Sequence, residues 1–212
     1  MSRLRFVLAS ASPARLATLR DAGLDPEVVV SGVDESQVVT DDPARLATAL
    51  AELKADTVAT RLAGGGPQPG LLLGCDSVLE LDGDILGKPD DADDARARWR
   101  AMRGRRGVLH TGHCLLDLGA GTRVVRAVDT VVHWADVDDE EIEAYVATGE
   151  PLHVAGAFTL DGLGGAFVRG VEGDPHSVVG VSLPVLREMV RELGHRWTDL
   201  WSRPPGPGPA AG

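Results

Sequence analysis

The 212-residue sequence lacks the features of several protein classes. Its only two cysteines, Cys75 and Cys114, lie far apart in apolar, strand-like contexts, which favours buried reduced thiols over a disulfide or a metal site. No apolar run approaches the roughly 20 residues that a membrane-spanning helix needs, and the N-terminus shows no signal-peptide pattern. These absences predict a cytoplasmic protein without a membrane partner.

Several catalytic signatures are also missing. The six histidines show neither an HExxH pattern nor the His/Cys spacing of a zinc site. There is no GxxxxGKS/T phosphate loop, no glycine fingerprint of a dinucleotide fold and no GxSxG nucleophile elbow. Because Ser10 and Ser12 have no evident base partner, covalent catalysis has no support.

Positive charge is scarce, with 21 Lys and Arg against 32 Asp and Glu and a net charge of −11. A general nucleic-acid binder needs a basic face, so a nucleic-acid polymer is not expected as a partner. The excess of negative charge favours solubility. It leaves a nucleotide substrate open, because a local Arg/Lys pocket or a metal ion can hold phosphate.

The remaining composition predicts an α/β fold. Hydrophobic residues make up 43% of the chain, which is enough for a core, and helical and strand-like patterns alternate. One domain is expected over residues 1–200, with a flexible glycine-rich loop at 64–70 and a disordered Pro/Gly-rich tail at 201–212. Strands are predicted at 6–9, 27–33, 71–81, 85–86, 108–118 and 123–134, and helices at 13–22, from 43, at 92–102, near 138 and from about 184.

The first strand runs directly into a helix. Ser12 is placed as the N-cap, Pro13 as the first helical residue and Gly23 just past the end. The free N–H groups of such a helix start, together with Ser10, Ser12 and Arg15, would make an anion cradle that suits phosphate. The alternative is a capped helix that only packs.

Asp76 stands inside an otherwise apolar strand, LLLGCDSVLEL. An unpaired buried charge is costly, so this carboxylate must pair with a cation, bind a metal or act as a base; the alternative is an exposed strand position. The Asp82-Gly83 pair predicts a hairpin. Because Asp76 and Lys88 are each six residues from Asp82, the hairpin would bring them close, and Lys88 would bind phosphate or pair with the carboxylate. A solvated Lys88 is the alternative.

Two further polar positions follow from the pattern. Asp34-Glu35 is predicted to close the second strand, where a carboxylate suits Mg²⁺ coordination; an ordinary surface turn is the alternative. Lys54 lies at the edge of the apolar face of a predicted amphipathic helix. It is either a ligand-binding residue or an ordinary residue that flanks this face. The combined set of hydroxyls, cations and carboxylates fits metal-assisted attack of water on a phosphoanhydride.

Several motifs together resemble those of the Maf-type nucleoside triphosphate pyrophosphatases. They occur in the family's order up to about Leu193. The matching segments are LASASPAR at 8–15, VDE at 33–35, KA at 54–55, CDS at 75–77, LGKP at 86–89, GR at 104–105 with Thr111, TGEP at 148–151, AGAF at 155–158, and EGD at 172–174 leading to VG at 179–180.

The resemblance implies a central twisted mixed sheet with flanking helices and two lobes around a cleft, similar to inosine-triphosphate pyrophosphatases. It implies hydrolysis of a nucleoside triphosphate to the monophosphate and pyrophosphate with a divalent cation, Mg²⁺ or Mn²⁺. Asp76 matches the family's proton acceptor and, with Glu35, would bind the metal. The other matched active-site positions, which in the family hold phosphate or metal, are Ser10, Arg15, Lys54 and Lys88.

Three positions depart from the family's known specificity classes. Uridine/thymidine-type members carry Arg, Thr and Gln, and members acting on 7-methyl-GTP carry Trp, Gln and Glu, where this chain has Ala14, Ser77 and Asp161. Asp161 would accept a hydrogen bond from a base N–H, whereas a Gln both donates and accepts. The resemblance also raises a homodimer, and a nucleotide-binding regulator of septum formation as an alternative function.

Overall fold

The structure is a computed structural model that describes residues 4–64 and 69–202. Residues 65–68 of the predicted flexible loop and residues 203–212 of the predicted tail lie outside the described residues. Within the described part, no helix is long and apolar enough to cross a membrane. Both cysteines are buried and free, as the sequence predicts, and burial raises the pKa of each thiol to about 12. Neither is therefore a thiolate nucleophile.

A seven-stranded mixed sheet forms the centre of the molecule. Its order is β2-β1-β3-β5-β6-β7, and β4 also pairs with β3. The β2-β1-β3 pairings are parallel and the others antiparallel, which confirms the mixed α/β prediction. The strands are β1 Phe6–Leu8, β2 Glu27–Val28, β3 Leu71–Leu81, β4 Asp84–Leu86, β5 Arg106–Asp117, β6 Arg123–Trp134 and β7 Val168–Glu172.

Over residues 4–64 and 69–202, six helices flank the sheet, and side-chain caps fix where they begin. Asp138 and Glu141 form a complete capping box at one helix start, and Ser12, Asp42 and Asp91 cap three others through backbone N–H groups. The helices are α1 Pro13–Asp21, α2 Pro43–Ala63, α3 Ala92–Met102, α4 Asp139–Ala147, α5 Pro175–Val179 and α6 Leu183–Glu192.

The edge of β3 is interrupted in its middle. Strand β5 pairs with β3 from Leu71 to Glu80, so β1 and β4 share the opposite edge. There, β1 pairs as far as Leu73 and β4 begins at Leu79. Residues 74–78 of β3 therefore have no strand partner on that edge within the described residues. We call this stretch the open edge.

The open edge lies between two apolar clusters. Leu71, Leu73 and Cys75 belong to a cluster with α1 and α6. Leu79 and Leu81, farther along β3, belong to a second cluster with α3 and α4. The polar residues at 76–77 stand between these cores, so the sheet joins two lobes at its polar centre.

Two sequence predictions about elements were wrong. The strand predicted at 27–33 ends at Val28, because its partner β1 ends at Leu8 and offers no further ladder. Asp34-Glu35 consequently lies in a loop, where Asp34 caps a 3-10 turn over Glu35–Gln37. The segment from Ala155 to Gly180, in which the sequence pattern predicts no strand or helix, contains β7 and α5 as well as 3-10 turns.

Candidate active site

Arg15 is fixed at the end of β1 by three hydrogen bonds. Its Nη1 donates to Ser10 Oγ at 3.1 Å and its Nη2 donates to Ser77 Oγ at 3.2 Å. Its Nε donates to the Gly180 carbonyl at 2.8 Å. Arg15 is only 8% exposed. Since a guanidinium has five N–H donors, two are left among the described residues for a ligand.

The start of α1 brings a helix N-terminus to the same place. Ser12 Oγ accepts from the Arg15 backbone N–H at 3.3 Å, and the Ser12 N–H donates to Ser10 Oγ at 3.2 Å. Pro13 is the first helical residue, and Gly23 follows the helix with a φ of +86°. The predicted caps at both ends are therefore confirmed. Within the described residues the Ala14 N–H is the one backbone donor of the first turn without a partner, and it lies next to Arg15 in the chain.

Lys54 joins two carboxylates on the other side of β3. Its Nζ lies 2.5 Å from Asp76 Oδ1 and 2.8 Å from Glu35 Oε1. The Lys54 and Asp76 side chains are only 10% and 12% exposed, whereas Glu35 is half exposed. Asp76 is thus a buried, ion-paired carboxylate, and its cation is Lys54. We call these three residues the ion triad.

Two glycines allow α2 to carry Lys54 to this position. A Cβ added at Gly74 would lie 2.2 Å from the Ala51 carbonyl oxygen, and one at Gly112 would lie 2.2 Å from the Ala47 carbonyl oxygen. The helix therefore rests on the bare backbone of β3 and β5. Lys54, one helical turn after Ala51, follows on the same face.

We call Arg15 together with Ser10, Ser12 and Ser77 the Arg15 cluster. The ion triad and the Arg15 cluster lie on opposite faces of β3. Asp76 and Ser77 are consecutive, and successive side chains of a strand point to opposite faces. Asp76 meets α2 on one face, whereas Ser77 meets Arg15 on the other. Both residues belong to the open edge, so a ligand at that edge can contact both groups.

Lys88 does not pair with Asp76 as the hairpin count predicted. The predicted turn is confirmed, with φ of +56° at Asp82 and +91° at Gly83, but the β3-β4 ladder ends at Leu86. Lys88 is exposed beyond it, and its side chain makes no hydrogen bond or ion pair within the described residues. The following Pro89 has no N–H to extend the ladder.

The loop that carries Asp161 is organised by the carboxylate of Glu150. Glu150 accepts hydrogen bonds from the Tyr145 and Thr159 hydroxyls and from the backbone N–H groups of Leu163 and Gly164. Burial disfavours the charged carboxylate, but these hydrogen bonds outweigh burial and hold its pKa below the ordinary value. Asp161 itself is exposed.

Thr111 and Ser177 are parts of the site that the chemical reading of the sequence missed. Thr111 Oγ1 lies 3.0 Å from Ser77 Oγ and donates to the Ser177 carbonyl at 3.0 Å. This chain of contacts holds Ser77 Oγ in place, and Ser77 Oγ accepts the hydrogen bond from Arg15 Nη2. Thr111 is fully buried. A hydroxyl inside a predicted strand was the sequence signal that could have pointed to it, because a buried hydroxyl needs a hydrogen-bond partner.

The carboxylates present fit a divalent cation of the Mg²⁺ type. Within the described residues there is no group of three or more His, Cys, Asp and Glu able to hold a metal ion. However, the oxygens of Glu35 and Asp76 both lie close enough to contact one ammonium. One or two carboxylates completed by water and substrate phosphate are a usual donor set for Mg²⁺.

Known proteins of similar sequence were compared with this chain. A nucleoside triphosphate pyrophosphatase of Salinispora tropica is 60% identical over 94% of this chain and 88% of its own length. One from Streptomyces coelicolor is 56% identical over 94% of this chain and 96% of its own length. A crystal structure of a dITP/XTP pyrophosphatase from Mycobacterium abscessus matches 63% of this chain and 74% of its own at 18% identity with a TM-score of 0.34.

The family model described as "Maf-like protein" matches residues 5–193. That match begins just before β1 and ends just after α6, so it includes the open edge, the ion triad and the Arg15 cluster. The similarity of the curated relatives extends over nearly the same length. This chain therefore belongs to the Maf family.

Proposed function

We propose that this chain hydrolyses nucleoside triphosphates to the monophosphate and pyrophosphate. The observation that carries the proposal is the ion triad, which includes the buried Asp76 of the open edge, with the Arg15 cluster on the other face of the same strand. Asp76 has Lys54 on one face of the strand, and Arg15 lies on the other face. A carboxylate flanked by cations that can hold phosphate suits attack of water on a phosphoanhydride. The relatives named above carry the same activity in their names.

In the proposed reaction, water attacks the α-phosphorus of the triphosphate. A new P–O bond forms to the water oxygen, and the bond from the α-phosphorus to the oxygen bridging the β-phosphorus breaks. The bridging oxygen leaves with pyrophosphate, and the proton of the water passes to Asp76. We assign Asp76 as the general base because it is the most buried carboxylate at the open edge.

The triphosphate is held by groups that already converge. Arg15 supplies its two spare N–H donors, and the Ser10 hydroxyl and the Ala14 N–H in the first turn of α1 supply further donors for phosphate oxygens. We assign Lys54 to neutralise charge at the carboxylates and Lys88, free of partners in the described residues, to contact the outer phosphates. A divalent cation held by Glu35 and Asp76 would supply Lewis-acid stabilisation of phosphate charge.

We assign the choice of nucleobase to three positions. Ala14 is small and lies in the first turn of α1, Ser77 is engaged by Arg15, and Asp161 is exposed on the loop held by Glu150. Asp161 offers an acceptor to a base N–H. Homodimer formation and a cytoplasmic location stay predictions.

The test is pyrophosphate release from a panel of canonical and modified triphosphates with Mg²⁺ present. Asp76→Asn is expected to lower turnover by roughly 10²–10⁴-fold, because it removes the base, while circular dichroism shows a folded protein. Asp84→Asn is the matched control, since Asp84 is an exposed carboxylate on neighbouring β4, and its activity should equal that of the unmodified protein.

Two outcomes would overturn the proposal. One is ordinary turnover in folded Asp76→Asn. The other is binding of nucleotides without pyrophosphate release across the panel, which would favour the alternative of a non-catalytic nucleotide-binding regulator. A Mg²⁺ titration of the same reaction tests the cation: activity that survives complete chelation would remove Glu35 and Asp76 as metal ligands.

A further inference from the structure

A basic hollow lies at one end of strands β5 and β6, away from the open edge in the middle of β3. It encloses about 480 Å³ where β5, β6 and β7 meet. Its lining contains three arginines, a histidine, a tryptophan and two glycines, but no carboxylate. The side chains are Arg105, Arg106, Arg169, His133 and Trp134. We call this feature the arginine hollow.

Two of these arginines are unpaired within the described residues. Arg106 and Arg169 are exposed and make no ion pair or hydrogen bond through their side chains within the described residues. Many exposed arginines of this acidic chain, by contrast, have carboxylate partners, as Arg126 has in Glu192 at 2.6 Å. The arginine hollow therefore concentrates positive charge on a molecule whose net charge is −11.

Two acidic groups near the arginine hollow are already engaged, and a third stands at its rim. Asp82 is ion-paired with Arg105, and Glu172 lies 2.7 Å from His133 Nε2. Asp136 lies beside Gly104 at the rim, 3.6 Å from where a Cβ would be. Two guanidiniums thus remain available for an added anion.

The strand register separates this feature from the candidate active site. Arg106 and His133 are paired across β5 and β6, whereas Asp76 is paired with Gly112. Arg106 and Gly112 are six residues apart on one strand, which corresponds to about 20 Å. A ligand of pyrophosphate size in the arginine hollow would not reach Asp76.

We propose that the arginine hollow is a second binding site, specific for phosphate-bearing anions. Guanidinium groups bind phosphate oxygens through paired, charge-assisted hydrogen bonds, and the hollow is large enough for several phosphate groups. Inorganic pyrophosphate is the simplest member of this class and serves as the probe. The proposal does not depend on the chain being a pyrophosphatase.

The test is a titration of the whole protein with inorganic pyrophosphate, followed through the indole N–H resonance of Trp134, which lines the hollow. Comparison with Trp134→Phe assigns the resonance. Saturable shifts are expected in the unmodified protein. The double variant Arg106→Gln/Arg169→Gln should weaken binding by about a hundredfold, because each lost charge-assisted contact costs about 1.5 kcal/mol, or roughly tenfold in affinity.

Arg187→Gln is the matched control. Arg187 is an exposed arginine in a different hollow, of about 330 Å³, on the α6 side of the molecule, and its replacement makes the same charge change. The proposal fails if the Trp134 resonance does not move, if the double variant binds as tightly as the unmodified protein, or if Arg187→Gln weakens binding equally. Unchanged nucleotide hydrolysis in the double variant would show that the two sites are independent.

Discussion

At the scale of single residues, Lys54 has the most demanding environment. It is 8% exposed and contacts two carboxylates, one of them equally buried. Desolvation makes each of these charges costly on its own, and the short contacts offset that cost. The ion triad is therefore a unit in which the removal of one charge leaves an uncompensated one.

We expect Lys54→Met to destabilise the fold by about 3 kcal/mol, because Asp76 and Glu35 would face each other without a cation. Urea unfolding measures the change. The double variant Lys54→Met/Asp76→Asn should recover part of the loss, since the buried carboxylate is neutralised as well. Strictly additive effects of the two substitutions would contradict the coupling.

The sequence predicts the Arg15 cluster better than the ion triad. Ser12, Pro13 and Gly23 obey local capping rules, so they placed the start and end of α1 correctly. The pairing of Lys54 with Asp76 depends on how α2 docks on the sheet, which no local rule specifies. For the same reason the sequence suggested the wrong lysine, Lys88, as the partner of Asp76.

At the scale of elements, the contact between α2 and the sheet sets the position of the ion triad. We expect Gly74→Ala to cost about 2 kcal/mol, because its Cβ would overlap the Ala51 carbonyl oxygen and displace α2. Hydrolysis should fall with it, as Lys54 moves with the helix. Gly170→Ala is the control, since no atom lies within 4 Å of that added Cβ; equal stability of the two variants would refute the explanation.

The loop after α4 should respond to the loss of charge at Glu150. In Glu150→Gln the backbone N–H groups of Leu163 and Gly164 lose a charged acceptor, so their amide hydrogens should exchange about tenfold faster. Hydrogen exchange of these amides measures the effect. Glu140 is an exposed position on α4, and Glu140→Gln should leave both exchange rates unchanged. If Glu140→Gln raises them as well, the effect is not specific to Glu150.

The bounds of a helix or strand can be predicted from the sequence when they do not depend on a neighbouring element. The bounds of β3 and α3 match the prediction because each has a continuous pattern with clear stop signals. Strand β2 is shorter than predicted because its partner ends. Strand β7 and helix α5 escaped prediction because the five residues of β7 include a glycine and do not alternate apolar with polar, and α5 is a single short turn.

At the scale of the whole molecule, one buried histidine links β5 to α6. His113 is fully buried, and its Nε2 accepts from the Ser182 backbone N–H at 2.9 Å. Burial, aided by the positive charge of Arg15, lowers its pKa from 6.5 to about 4. His113 is thus neutral in the folded protein at pH values where the unfolded chain is protonated.

Stability should therefore fall as the pH drops from 6.5 toward 4, because the unfolded chain binds a proton on His113 and the folded chain does not. The contribution is roughly 3 kcal/mol across that window. Urea unfolding at several pH values measures it against His113→Gln, which keeps an acceptor and cannot titrate. Parallel curves for the two proteins would contradict this origin of the pH dependence.

The open edge also bears on how the protein avoids aggregation. An exposed strand edge is a template for pairing with another chain. Here the stretch without a strand partner is only residues 74–78, which are largely buried, and β1 and β4 block it at both ends. A foreign strand long enough to pair stably would collide with one of them, whereas a small substrate would not. The interruption thus offers backbone groups to a ligand while denying them to another polypeptide.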